Sequence, residues 1–375
     1  MKLDKFVDYL LAAVLMSLAW SLRGQFGHLK GALIPGAAAA VSVALLSTDE
    51  LWRRALGWAL IVSSLGFSLG GHLSYGRVIE HIVASRDFAS VAAEVWRFFS
   101  TGAVWGGLGL TFLGFGLSEK PPGAADLVLF AVLGLFWFVP LGILNQEPYD
   151  LMLFGCGLAL IHIYNLAFKK SKIVSLFGLA GIAGFGFGFL AAVILLYAGS
   201  HGFLPGRRPW WSLRDQIIGL CGGGFIAWAA RRAVRLGLSP VREVVSLGVQ
   251  KSGFICYVVL IPAVNFLNVL THWSMGKVTE PAFVSSCCIL GFSVLVILLL
   301  LISRADAEIF SNRTLDHILY FSTLFFIWFL SLAAMAKGLF PGGFEQWEPA
   351  FTFFLFYCLV LTFFLPFRAY RPNSP

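Results

Sequence analysis

The sequence predicts an all-α polytopic membrane protein, with about twelve transmembrane helices in two parallel, pseudo-symmetric six-helix halves. Three observations predict it. The 375-residue chain is 58% hydrophobic and 12% charged, whereas soluble domains carry about 25% charged residues; its mean hydropathy is +0.83. Its apolar runs are too many and too long for one buried core, and runs of about 17–25 residues are long enough to cross a bilayer as helices. Finally, polar motifs recur in the same order along the chain, as in an internal duplication.

The recurrence has four members. Trp20-Ser21-Leu22-Arg23-Gly24-Gln25 returns as Trp211-Ser212-Leu213-Arg214-Asp215-Gln216. His72-Leu73-Ser74-Tyr75-Gly76-Arg77 returns as His272-Trp273-Ser274-Met275-Gly276-Lys277. Trp137-Phe138 with Leu141 returns as Trp328-Phe329 with Leu332, and Glu147-Pro148 as Glu348-Pro349. Four matches in one order at nearly constant spacing predict a copied membrane unit. Its halves are residues 1–168 and 173–375. Six crossings per half bring both halves in from the same side, so the repeat is parallel.

The segments follow in order. The first, 6–22, comes after Lys2 and Lys5; Asp8 interrupts it and no small-x-small cleavage site follows, so it is expected to be retained rather than removed as a signal peptide. The second, 32–46, is short and opened by Gly31, Pro35 and Gly36. Segments three to five are 55–76, 100–117 and 126–144, the fourth thinned by Gly106, Gly107, Gly109, Gly114 and Gly116. Segment six, 151–168, follows Glu147-Pro148, an acid-proline pair that suits a helix entry. The basic stretch Lys169-Lys170-Ser171-Lys172 is the seam between halves. Segment seven, 173–199, carries the ladder Ala180, Gly184, Gly188, which allows close helix approach in lipid. Segment eight, 217–230, is read as short and interrupted by Gly222-Gly223-Gly224. Segments 253–273, 281–303, 318–336 and 350–367 complete the second half. Short, broken segments second in each half point to a transporter site.

Charge is distributed as topology requires. The formal net charge is +8, but with a cytoplasmic N-terminus most Lys and Arg fall on inside loops, including Lys169–Lys172 and Arg231–Arg242. That is the positive-inside pattern of a multi-pass plasma (inner) membrane protein with both termini cytoplasmic. These basic runs read as anchors near lipid headgroups, and nucleic acid is not an expected partner. Six cysteines at 156, 221, 256, 287, 288 and 358 show neither C-x-x-C nor Cys/His ligand spacing, so neither disulfides nor a metal site are expected.

Chemistry is expected at the outer face. Arg23, Gln25, His28 and Lys30 form a polar hairpin between spans, with glycines permitting close approach to a carboxylate or phosphate. Arg207, Arg208, Arg214 and Gln216 form its counterpart, and Arg77 belongs to the second motif. Basic residues are disfavoured on that face, which makes a binding role the reading to weigh against ion pairing and an interfacial belt of Trp20, Trp210 and Trp211. His72 and His272, with Glu147 and Glu348, are the candidates for proton coupling; hydrogen-bonded helix ends are the plainer reading of each. His162, Tyr164 and Asn165 lie toward the inner end of segment six. No Walker loop, G-x-G-x-x-G fingerprint, H-E-x-x-H helix or G-x-S-x-G elbow occurs, and no cofactor is expected. The expected function is a transporter or permease for a small anionic or polar solute, with proton coupling as the further expectation. The alternatives are an intramembrane transferase acting on a lipid-linked or periplasmic substrate, and a non-catalytic membrane subunit. The first is favoured by asymmetry, since Gly27-His28 and Glu80-His81 have no second copy.

Overall fold

The computed structural model describes residues 3–23, 28–46, 51–52, 55–73, 75–85, 88–120, 125–126, 128–130, 132–133, 147–203 and 210–240, with residues 263, 267 and 270. Every regular element among the described residues is helical. In order they are α1 Leu3–Arg23, α2 His28–Gly31, α3 Leu33–Leu46, α4 Leu56–Gly70, α5 Gly76–Ala84, α6 Phe88–Gly116, α7 Glu147–Tyr164, α8 Lys172–Ser200 and α9 Trp210–Arg235. Among the described residues five stretches are long and apolar enough to cross a membrane: Phe6–Arg23, Val91–Gly116, Asp150–Lys169, Lys172–Ser200 and Leu213–Arg235. Two shorter apolar helices, α3 and α4, run among them. The third to sixth matched segments of the second half lie outside the described residues, apart from positions 263, 267 and 270.

The helices pack as antiparallel neighbours, and glycine sets how close they come. Helix α8 lies most extensively against α6 and then α9, while α1 lies against α9 and α4 against α6. A methyl group at Gly219 would fall on the Met16 carbonyl oxygen and Ser17 Cα, and one at Gly223 on the Ala12 carbonyl oxygen. Helix α9 therefore rests backbone to backbone on α1. Ser17 Oγ donates to the Gln216 carbonyl across this contact at 2.9 Å. Without a hydrophobic drive between helices in lipid, such close approach is what associates them. The Ala180, Gly184, Gly188 ladder has this role: Gly184 meets Phe225 and Gly188 meets Ile218 and Cys221.

Three sequence expectations are corrected. Segment eight is neither short nor interrupted: α9 runs 26 residues through Gly222-Gly223-Gly224, because Gly222 fits against Phe185 and Gly223 against α1. Of the two segments expected to be short, α3 is, at 14 residues, and α9 is not, so the expected pairing of two short segments does not hold. Segment three ends early, α4 stopping at Gly70 before a non-helical turn. Lys169 is no headgroup anchor; it is buried, paired with buried Asp126, while Lys170 and Lys172 are exposed.

That buried pair closes one end of the bundle. After α7 the chain widens into a π-turn, Asn165–Lys169, and Lys170 takes a left-handed conformation at φ 51°. Asn165 Nδ2 donates to the Ser171 carbonyl at 3.0 Å and to Ser175 Oγ at 2.8 Å. Ser171 caps α8 by accepting from the Val174 amide and donates to Glu119 at 2.6 Å. Tyr164 donates to Asp126 at 2.9 Å. On the same side Arg231 of α9 pairs with Asp8 of α1. The residue that interrupts the first apolar run is thereby neutralised.

Candidate functional site

At the opposite end of the α1–α9 pair, buried cations gather. Arg23 closes α1 and Arg214 stands in the second turn of α9. The antiparallel packing brings both to Asp215. Arg214 donates to Asp215 Oδ1 through Nε at 3.1 Å and Nη2 at 2.9 Å, and Arg23 Nη2 lies 3.8 Å from the same oxygen. Arg23 also donates from Nη2 to Tyr75 Oη at 2.6 Å. Arg23 is 0% exposed, Arg214 8% and Asp215 9%. Buried charge persists only when paired and hydrogen-bonded, and this group meets that condition through its own members.

Aromatic rings enclose the guanidinium of Arg23. Its Cζ lies 4.6 Å from the Trp20 ring centroid, 4.8 Å from that of Trp105 and 5.8 Å from that of Tyr75. Arg214 Cζ lies 5.7 Å from the Tyr75 ring. Electron-rich ring faces attract desolvated cations, so the cage offsets part of the burial cost. Trp20 and Trp105 meet edge to face at 5.0 Å, with Phe67, Phe98, Phe185 and Phe189 packed around the cluster. Trp105 Nε1 donates to the Phe67 carbonyl at 2.8 Å. Gly70 leaves the room in which the Trp105 ring lies. Helix α2 comes close to the end of α1, since a Cβ on Gly31 would strike the Arg23 carbonyl oxygen.

The structure brings Arg23, Arg214 and Gln216 to one place, Gln216 being buried and bonded to α1 through its carbonyl. Lys30 is exposed. His28 opens α2, Arg77 lies in the first turn of α5, and Glu147 opens α7. Gln25, Arg207, Arg208, His272 and Glu348 lie outside the described residues. His72 follows α4 and stacks on Phe154 of α7, with ring centroids 6.1 Å apart. It feels the carboxylate of Asp150 electrostatically, and so belongs to the α4–α7 junction. His162 faces Thr111 at 3.2 Å between α7 and α6.

Trp20 is corrected: fully buried against Arg23, it is no interfacial belt residue. Sequence reasoning missed Tyr75, Trp105 and Asp215. Tyr75 stands inside a recurring motif beside the histidine that drew notice. Trp105 is the one large ring in a stretch of glycines, Gly102, Gly106 and Gly107, and bulk set against small neighbours is a packing signal. Asp215 is the one acid in either copy of the first motif.

The two Trp-Ser-Leu-Arg copies differ in helical sense, the first ending α1 and the second lying in the opening turns of α9. What they share is an end of the bundle. Chemically, two arginine forks meet one carboxylate, that of Asp215, and one of them also donates to a tyrosine hydroxyl; guanidinium forks of this kind suit oxyanions. Among the described residues no group of three His, Cys, Asp or Glu gathers as a metal site. Comparison of the chain with protein-family models, with curated proteins and with solved structures finds no match.

Proposed function

We propose that the chain is a transporter or permease for a small anionic or polar solute in the plasma (inner) membrane, with both termini cytoplasmic. One observation carries the reading: Arg23 and Arg214, far apart in sequence, converge on Asp215 and Tyr75 inside the helices rather than facing lipid. Intramembrane ionisable residues mark substrate or ion pathways, and paired arginines select carboxylate or phosphate. In this reading the cluster is the outward-facing basic site. The remaining solute-binding candidates Gln25, His28, Lys30, Arg77, Arg207, Arg208 and Gln216 attract the anion in this reading, and His72 with Asp150 and Glu147 passes the coupling proton. His272 and Glu348 have the equivalent role in the second half. The plan of about twelve helices in two six-helix halves belongs to the same reading, the opposite helical sense of the first matched pair being a local departure.

Uptake of labelled small anions into proteoliposomes tests it. Wild-type protein gives accumulation, and Arg23→Gln or Arg214→Gln each lowers it at least about tenfold, the loss of about 1.4 kcal/mol or more of anion binding. Absence of uptake across carboxylates, phosphate and sulfate contradicts the proposal. A covalently modified lipid in the same vesicles establishes the transferase instead.

A further inference from the structure

We infer that Asp215 is a built-in placeholder for the solute: its carboxylate occupies the position between Arg23 and Arg214 that a small oxyanion takes, and the oxyanion binds by displacing it. This rests on the transport reading above and adds how that site is held at rest.

Geometry carries the inference. One oxygen of Asp215 receives both Nε and Nη2 of Arg214 and lies 3.8 Å from Arg23 Nη2. The side chain thus fills the fork with which arginine grips carboxylate or phosphate. Its length is short and it neighbours Arg214 in sequence, so a rotation of χ1 withdraws the carboxylate without unwinding α9. The duplicated hexapeptide adds a second argument. Both copies supply Trp, Ser, Leu, Arg and Gln in register, and the position that holds Asp215 in one holds Gly24 in the other. Two cations thereby meet a single acid from these motifs. A third argument comes from Trp20, whose buried indole N–H has no acceptor among the described residues. It lies in the ring that Arg23 covers at 4.6 Å. Buried donors are normally satisfied, and a larger oxyanion offers further oxygens to the same cluster.

A competitor in the same molecule lowers apparent affinity by the fraction of time it leaves the site empty. A displaced state populated at roughly 1–10% sets a gain of about 10- to 100-fold when the competitor is removed. Asp215→Asn keeps the shape and removes the charge. Inorganic phosphate is titrated calorimetrically into purified full-length protein in neutral detergent, and acetate and a short-chain phosphatidic acid are titrated separately. These two probes tell carboxylate from phosphate and free anion from lipid headgroup. At least about tenfold tighter binding of any of them to Asp215→Asn than to wild type supports the placeholder. Binding to wild type that is equal or weaker in the variant overturns it and leaves the transport reading standing, with Asp215 then orienting the guanidiniums. No binding to either folded protein overturns both.

Should Asp215→Asn fail to fold, wild-type protein carrying ¹³C-aspartate decides. Its infrared difference spectrum on adding phosphate shows a shifted carboxylate band if Asp215 is displaced. An unchanged aspartate region at saturating phosphate overturns the inference.

Discussion

A guanidinium inside a helical bundle is stabilised by partners for its donors and its charge, and Arg23 finds them in two ways. Tyr75 accepts from it and Asp215 neutralises it, while three ring faces replace water around the flat cation. A hydrogen bond to a charged group contributes about 1.5–3 kcal/mol. Tyr75→Phe keeps the ring and removes the acceptor, so thermal unfolding in detergent is expected to show a loss of about that size. A variant as stable as wild type contradicts the assigned role of the hydroxyl. Trp105→Ala removes a cage wall and leaves a void beside Gly70, with an expected loss of about 3–5 kcal/mol. None of this was visible in the sequence except that arginine stood where arginine is disfavoured. Ion pairing and anion binding both fit that signal, and the partner that decides lies on another helix.

Between helices, the small residues of α9 do the work that apolar bulk does in water-soluble cores. A Cβ on Gly223 would strike the α1 backbone, whereas one on its neighbour Gly224 would meet nothing within 4 Å. Gly223→Leu is therefore expected to separate α1 from α9 and abolish folded protein in size-exclusion chromatography. Gly224→Ala is expected to be neutral or to stabilise by up to about 1 kcal/mol, the helix-propensity difference. Equal effects at the two positions contradict the packing assigned here. The same contrast explains why three glycines in a row read as an interruption. Propensity counts against glycine in a helix, but the close approach to α1 outweighs it, and that approach is a tertiary fact. Helix α8 was legible almost to the residue, 172–200 against an expected 173–199, because a long apolar run lies between a basic seam and a polar end. The opening turns of α9 were not, because Arg214, Asp215 and Gln216 are polar, and their burial goes with Arg23 and Ser17 of α1 and with Tyr75.

Across the whole molecule, α1 and α9 are tied at both ends, by Arg23 with Asp215 and by Asp8 with Arg231. These ties lie about 22 Å apart along α1. Removing one member of a buried pair costs about 3–5 kcal/mol. Arg231 keeps part of its side chain in contact with solvent, so Asp8→Asn is expected to lower stability by less, about 1–3 kcal/mol, and the exchanged double variant Asp8→Arg with Arg231→Asp to recover most of it. A double variant as unstable as the sum of its parts contradicts the pairing. The proposed orientation makes its own prediction. Cysteine at Phe203, in the exposed turn after α8, should react with an impermeant maleimide added outside intact cells, and cysteine at exposed Lys170 or Arg232 only after permeabilisation; the reverse pattern inverts the assigned topology. The helical, membrane-compatible character of the chain could be read from hydropathy alone. The placement of a cationic cluster inside it could not, since it depends on which helix ends meet.

Arg23 and Arg214 act as one site in the proposed transporter, and a double-mutant cycle on anion uptake in proteoliposomes measures that directly. Arg23→Gln, Arg214→Gln and the double variant are compared at equal reconstituted protein. Residues that grip one ligand together are non-additive, so the double variant is expected to transport about as poorly as the worse single variant. Losses that multiply independently, or uptake unaffected by either substitution, would contradict a shared site.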